Sequence, residues 1–211
     1  MPEPTCKMFQ SHPDSAVPKE SPLAWSYQHV GLPKMDRQST VLLHEHAFLG
    51  HLLLRGGAIA LDKALRSVLN MSLPARPLSL TEKGDYSVQW LTPDEWLLIV
   101  PQGQEFETER KLREQLQDEH YAIVNVSGGQ TLFTLTGKNV LPLLMKSAVY
   151  DVHPANFPAG KGVTTVFANT PMVLRRPDEQ RWELVVRRSF ADYIFRWLLD
   201  AGAEYGINVS R

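Results

Sequence analysis

The sequence predicts an α+β fold built from two pseudo-repeated halves, each running strand, helix, strand, strand, helix in the manner of a ferredoxin-like unit. Three observations predict it. LLLRGG begins at Leu52 and LFTLTG at Leu132. WLLIVP begins at Trp96 and WELVVR at Trp182, so two landmarks recur in the same order at nearly the same interval. A segment of helical periodicity follows each landmark of both halves. Strands and helices in this order suggest antiparallel-rich sheets covered by helices on one face, with the split β-α-β unit as the nearest simple template.

In the first half, Leu52 to Arg55 reads as a strand closed by Gly56-Gly57. The helix that follows spans Ile59 to Asn70, where Ile59, Leu65, Val68 and Leu69 form an apolar stripe near the 3.6 period. Tyr86 to Leu91 and Glu95 to Val100 make a hairpin. Its turn is Thr92-Pro93-Asp94, in which Pro fixes φ at the first corner and Asp suits the next position. A charged helix, Phe106 to Glu119, closes the half on Phe106, Leu112 and Leu116.

The second half opens with the strand Gln130 to Leu135. Its first helix covers Val140 to Ala148, with Asn139 as N-cap and Pro142 in the first turn, where no hydrogen bond is lost. Strands follow at Thr164 to Ala168, Met172 to Arg175 and Trp182 to Val186. The last helix, Phe190 to Ala203, carries Phe190, Tyr193, Ile194, Trp197, Leu198 and Ala201 at helical spacing, and Ser189 with Asp192 resembles a capping box.

Ahead of both halves, the stretch from Met1 to Pro33 holds Pro2, Pro4, Pro13, Pro18, Pro22 and Pro33 without sustained periodicity. Residues 1–35 therefore read as an extended, partly disordered arm docked through Leu23, Trp25 and Tyr27. Residues 36–211 form one domain, with the repeats at about 40–120 and 121–211.

A chain of 211 residues buries enough surface to need no disulfide or metal staple. Its net charge of −1 gives no bulk attraction to nucleic acid or acidic membranes, and does little to oppose a protein partner. The lone cysteine, Cys6, cannot form an internal disulfide, so a reducing cytoplasm is the expected compartment. No apolar run suggests a secretory signal or a membrane helix.

The stretch VLLHEHAFLGHLLLRGG, Val41 to Gly57, places His44, His46 and His51 close together. A zincin needs H-E-x-x-H on a helix; here H-E-H follows Val41-Leu42-Leu43, which favours a strand with His44 and His46 on one face. Strand histidines without cysteine or spaced carboxylates are usually structural or exposed, so no metal site is expected. Ser127-Gly128-Gly129 lacks the nucleophile elbow and the phosphate-loop lysine, and reads as a turn between two strands. Asp151 and His153 could pair on a strand, but the flanking prolines favour a rigid crossover loop. There is no dinucleotide fingerprint.

The one hint of a partner is the last helix. Tyr193, Phe195, Trp197 and Leu199 make it apolar beyond a single stripe, as expected of a helix that packs against something outside its own domain. Arg187 and Arg188 precede it, available to a carboxylate or a partner protein. Arg187, Arg188, Tyr193, Phe195 and Trp197 are thus the candidate partner-binding residues; none is assigned to catalysis, cofactor or metal.

FLGHLLLRG (Phe48 to Gly56), WLTPDEWLLIVP (Trp90 to Pro101), DVHPANFPAG (Asp151 to Gly160) and VVRRSFADYIFRWLLDAG (Val185 to Gly202) together resemble the gamma-subunit family of heterotetrameric sarcosine oxidases. The resemblance runs in register from about Leu43 onward and leaves out the Pro-rich leader. It implies a fold similar to the folate-binding domain of aminomethyltransferase, the glycine cleavage T-protein. It also implies a complex with alpha, beta and delta subunits, docking chiefly on alpha. That complex would oxidise sarcosine to glycine and pass the one-carbon unit to tetrahydrofolate.

By the same resemblance this chain holds no cofactor and contributes structure. FAD, FMN and NAD belong to alpha and beta, and zinc to delta. Aminomethyltransferases carry an acidic residue on a strand near Met172 to Arg175; Pro171-Met172-Val173-Leu174 has none, so aminomethyl transfer by this chain alone is not expected. The rival readings are a stand-alone folate-binding one-carbon protein and a metalloprotein built on His44, His46 and His51.

Overall fold

The computed structural model describes residues 19–32 and 38–210. Most of the expected arm, Cys6 included, lies outside the described residues. A short helix, α1 (Ala24–His29), precedes two sheets. The five-stranded sheet has the order β3 (Leu80–Lys83), β4 (Tyr86–Thr92), β5 (Glu95–Val100), β2 (Gly50–Gly56), β6 (Tyr121–Asn125). Helix α2 (Ala58–Leu69) follows β2, and α3 (Glu105–Leu116) follows β5.

The six-stranded sheet runs β11 (Ile207–Ser210), β1 (Val41–His46), β7 (Gln130–Thr136), β10 (Arg181–Arg187), β9 (Thr170–Arg176), β8 (Lys161–Phe167). Helix α4 (Val140–Met145) follows β7, and α5 (Ala191–Ala201) follows β10 through a 3-10 turn, Arg188–Phe190. The expected α+β class and the paired order of elements are both present.

Period-two alternation sorts the side chains into layers. On β5, Trp96, Leu98 and Val100 face α2 and α3, where they join Leu52, Leu54, Leu65, Leu112 and Leu116 in one core. On β10, Trp182, Leu184 and Val186 face α4 and α5 and join Phe133, Leu143, Ile194, Phe195 and Leu198 in a second. The intervening residues Leu97 and Ile99 of β5 and Val185 of β10 meet Leu132 of β7 in a third cluster between the sheets. The central strands are apolar on both faces because the sheets stack with helices outside. Each fully buried Leu or Trp contributes about 1.5–3 kcal/mol, and Trp96 keeps its polar edge satisfied by donating Nε1–H to the Pro74 carbonyl at 3.0 Å.

Within each half the strands follow one plan. β6 lies directly beside β2 in the first sheet, but β1 stands between β7 and β11 in the second, antiparallel to β7 and parallel to β11. The first sheet thus extends to Asn125, and the second takes a strand from Val41–His46. Neither sheet is made from the block 40–120 or the block 121–211 alone. Thr40, where the chain enters β1, passes so close to Gly137 that a Cβ there would lie 2.2 Å from the Thr40 carbonyl oxygen, and Gly137 has φ +119.

Several boundaries differ from expectation, each for a local reason. Asn139 stands at the N-cap of α4, but its amide donates to Thr40 Oγ1 at 2.8 Å instead of capping. α4 stops at Met145 because the chain leaves to place Ala148 in a bridge with Phe167. Phe190, not Ser189, is the N-cap of α5. Strands β3 and β11 were not expected at all. Among the described residues no helix is long and apolar enough to cross a membrane.

Candidate functional site

The inward face of α5 is Ala191, Ile194, Phe195 and Leu198, each with no exposure. Of the three aromatic residues of this helix expected as partner contacts, Tyr193, Phe195 and Trp197, this corrects Phe195. Phe195 is a core residue, met edge-on by Tyr27 at 5.6 Å. Tyr193 and Trp197 stay at the rim, 41% and 38% exposed. They are nonetheless held in place. Tyr193 donates its hydroxyl hydrogen to the Ala168 carbonyl at 3.0 Å, and Trp197 donates Nε1–H to Ser147 Oγ at 2.6 Å.

Ala168 and Asn169 form the two-residue turn between β8 and β9, both with positive φ, as a hairpin turn of this length favours. The Val149 amide reaches the Val166 carbonyl on the same side. Val149, Val166, Tyr193 and Trp197 therefore make an outward apolar ridge on ordered supports. Rigid aromatic rings with a satisfied polar edge lose little entropy on being covered, which suits them to an interface.

Helix α1 packs across the start of α5. Leu23 is fully buried, whereas Trp25 is 59% exposed, so of the three expected anchors Leu23 and Tyr27 point inward and Trp25 outward. Glu45 fixes this segment from β1, accepting from Ser21 Oγ at 2.6 Å, Tyr27 Oη at 3.1 Å and Thr131 Oγ1 at 2.9 Å. Ser26 Oγ donates to Asp192, which also accepts from Arg196 Nε at 2.9 Å; burial raises the Asp192 pKa, but these two bonds outweigh it and hold the carboxyl low. The Arg196 guanidinium lies 5.3 Å over the Trp25 ring. Arg188 donates Nη2–H to the Glu20 carbonyl at 2.7 Å, so it ties down the N-terminal segment, while Arg187 is exposed beside it.

The remaining sequence candidates are structural. His44 and His46 do share a face of β1, their rings edge-on at 4.4 Å. His44 Nδ1 is bonded to Ser210 Oγ at 3.0 Å and His46 Nε2 to Thr134 Oγ1 at 2.8 Å. His51 sits on the other sheet with Nδ1 donating to the Leu49 carbonyl at 3.0 Å. Among the described residues no group of three or more His, Cys, Asp or Glu is arranged to hold a metal ion. Asp151 accepts the His153 amide hydrogen at 2.9 Å and bonds Asn156, an exposed turn and not an acid–base pair. Ser127 Oγ accepts the His51 amide hydrogen at 2.9 Å, and Gly128 takes φ +72 in the turn expected there.

Sequence reasoning missed a polar cluster where the two sheets meet. Arg175 and Glu183 face each other across β9 and β10. Arg175 is 1% exposed and donates Nε–H and Nη2–H to Glu183 Oε2 at 2.9 and 2.5 Å, and Nη2–H to Ser87 Oγ at 3.0 Å. Arg181 reaches Glu82 at 2.6 Å and Glu183 at 3.3 Å. Burial pushes the Glu82 carboxyl up, with Arg181 opposing the shift. Burial, then the neighbouring His44, lowers the His46 imidazole. The signal in the sequence is a base, Arg175, and an acid, Glu183, set inside strands whose middle residues are otherwise apolar.

Residues 55–204 match the model of the family described as "Sarcosine oxidase, gamma subunit family". The chain is 34% identical over 171 residues to the sarcosine oxidase subunit gamma of Corynebacterium sp. (strain P-1), covering 79% of this chain and 82% of that one. It is 31% identical over 197 residues to the subunit gamma of strain U-96, covering 91% and 94%. Among solved structures it is similar to a chain of the heterotetrameric sarcosine oxidase from Corynebacterium sp. U-96 in complex with pyrrole 2-carboxylate. The TM-score is 0.79 at 28% identity, over 92% of this chain and 99% of that one. It also shares its fold with the glycine cleavage system aminomethyltransferase T from Bartonella henselae. There the TM-score is 0.65 at 12% identity, over 92% of this chain and 59% of that one.

Proposed function

The chain belongs to the sarcosine oxidase gamma subunit family, and from that premise we propose that it is a structural subunit of a cytoplasmic heterotetrameric sarcosine oxidase. In this reading it docks chiefly on the alpha subunit, with beta and delta completing the complex. FAD, FMN, NAD and zinc reside in those partners, and tetrahydrofolate accepts the one-carbon unit from the assembly. The chain contributes no catalytic group of its own.

The observation that carries the proposal is the outer edge of α5. Tyr193 and Trp197 are large, partly exposed and locked by hydrogen bonds to neighbouring elements. A surface of rigid aromatics is the arrangement that yields the dominant contacts of a protein interface. Trp25 on α1 and Arg187 at the end of β10 are exposed as well.

Co-expression of the four chains tests it. The chain is expected to co-purify with the other three in a fixed ratio. An assembly of the other three that forms with full activity and never retains this chain contradicts the proposal.

A further inference from the structure

Beside the start of α5 lies an open groove of about 640 Å³, lined by Trp25, Gly128, Gly129, Arg187, Arg188 and Ser189 among others. We propose that this groove receives an acidic side chain, an aspartate or glutamate on a segment of a partner subunit, whose carboxylate is bound by Arg187 and Arg188. The inference rests on the subunit role proposed above and adds a charged contact to the aromatic one at Tyr193 and Trp197.

The first ground is an unbalanced charge. The arginines between β9 and α5 are of two kinds. Arg175, Arg176, Arg181 and Arg196 each pair with a carboxylate of this chain. Arg187 and Arg188 are exposed, and among the described residues neither pairs with one. Glu20 lines the same groove but meets Arg188 through its backbone carbonyl, which holds the guanidinium in place without neutralising it. Both arginines also stand near the positive end of α5, where a cation is unfavourable by about 0.3–1 kcal/mol. Asp192, the one acid in the first turn, is already taken by Ser26 and Arg196. A carboxylate from outside satisfies the two guanidinium groups and the helix end together.

The groove's floor is fixed before anything enters it. Arg187 is in register with Gln130 across β10 and β7, and the Arg188 amide donates to the Gly129 carbonyl at 2.9 Å. Magnitude then separates a free anion from a tethered one. An exposed ion pair contributes only about 0–1 kcal/mol, too little to hold a small carboxylate in an open groove. The same pair counts when the rest of an interface carries the acid into place. Because the chain as a whole is at −1, the positive field is local and suits one acidic group better than a polyanion such as nucleic acid.

Assembly of the full chain with the other three subunits tests the proposal. Arg187→Gln combined with Arg188→Gln is expected to slow association at least about fivefold at low salt and to flatten its salt dependence. Arg187→Gln alone keeps the readout if losing the Glu20 contact loosens the N-terminal segment. Arg187→Lys then identifies the bound group. A carbodiimide, which joins an amine to a carboxylate, is expected to link position 187 to an aspartate- or glutamate-containing peptide of a partner subunit. Wild-type association rate and salt dependence in both Gln variants, or an Arg187→Lys complex that forms without such a link, overturns the inference. In either case the complex still forms and the subunit role stands, whereas a chain that never enters the complex defeats both.

Discussion

Gln89 and Gly162 clasp the two sheets together. Gln89 is fully buried on β4 and donates Nε2–H to the Gly162 carbonyl on β8 at 3.0 Å. The same amide reaches the carbonyls of Trp90 at 2.8 Å and Ser79 at 3.3 Å. A Cβ on Gly162 would stand 2.0 Å from Gln89 Oε1, so the clasp exists only because residue 162 has no side chain. The sheets also meet here through the Ser79–Lys161 bridge.

Gly162→Ala is therefore expected to cost about 1–3 kcal/mol through overpacking. Gln89→Ala alone also destabilises by removing the buried amide. The double variant should lose less than the sum, since the smaller side chain at 89 makes room at 162. Urea unfolding of the four proteins measures the coupling; strict additivity contradicts the clasp.

Arg175 and Glu183 form a buried ion pair, and breaking it from one side should be severe. Glu183→Ala leaves the buried guanidinium with only Glu82, 3.7 Å away and already shared with Arg181, at a cost of about 3–5 kcal/mol. Arg175→Met combined with Glu183→Leu should recover much of that loss, because the strands around the pair are apolar. Thermal unfolding of the single and double variants distinguishes a needed charge from a tolerated one.

Acid should destabilise the fold through His51. Burial holds its imidazole at about 4, with Arg175 acting in the same direction and the Leu49 carbonyl against it. The unfolded imidazole takes its proton near pH 6.5. His51 is thus neutral in the folded chain while its unfolded counterpart charges. The His51 contribution is constant above about pH 6.5 and falls as pH drops from there toward about 4, by about 3 kcal/mol in all. The stability of His51→Asn, followed by denaturant unfolding over that range, should fall less steeply. Parallel slopes for wild type and variant refute the assignment.

The two faces of α5 should respond differently to substitution. Phe195→Ala opens the core behind the helix and costs about 3–5 kcal/mol. Trp197→Ser should cost less stability than Phe195→Ala, since its ring is only partly covered, but weaken association with the partner subunits at least about tenfold. Pull-down yields beside melting temperatures separate the effects.

The sequence showed those elements whose pattern is local. β2, α2, the β4–β5 hairpin and α5 follow from apolar spacing and one Pro-Asp turn. β3 (LTEK) is a half-exposed edge strand without alternation, and β11 is four residues that pair, among the described residues, with β1 alone. Neither announces itself. Val41–His46 was readable as a strand, yet its insertion between β7 and β11 depends on pairing across the whole chain. On α5 two apolar stripes overlap, and the docking of α1 and β8–β9 decides which turns inward. That choice sent Phe195 to the core and Trp197 to the rim. The Arg175–Glu183 pair stayed hidden because each residue looked like an ordinary surface charge until the sheets stacked.

The central claim is that the outer edge of α5 is covered by a partner subunit, and covalent footprinting of Tyr193 and Trp197 tests it most directly. Oxidative labelling of both side chains in the isolated chain should drop at least about fivefold when the partner subunits are added and the complex forms, as expected for anchors at the centre of an interface. Equal labelling of both residues in the free chain and in the assembled complex would contradict it.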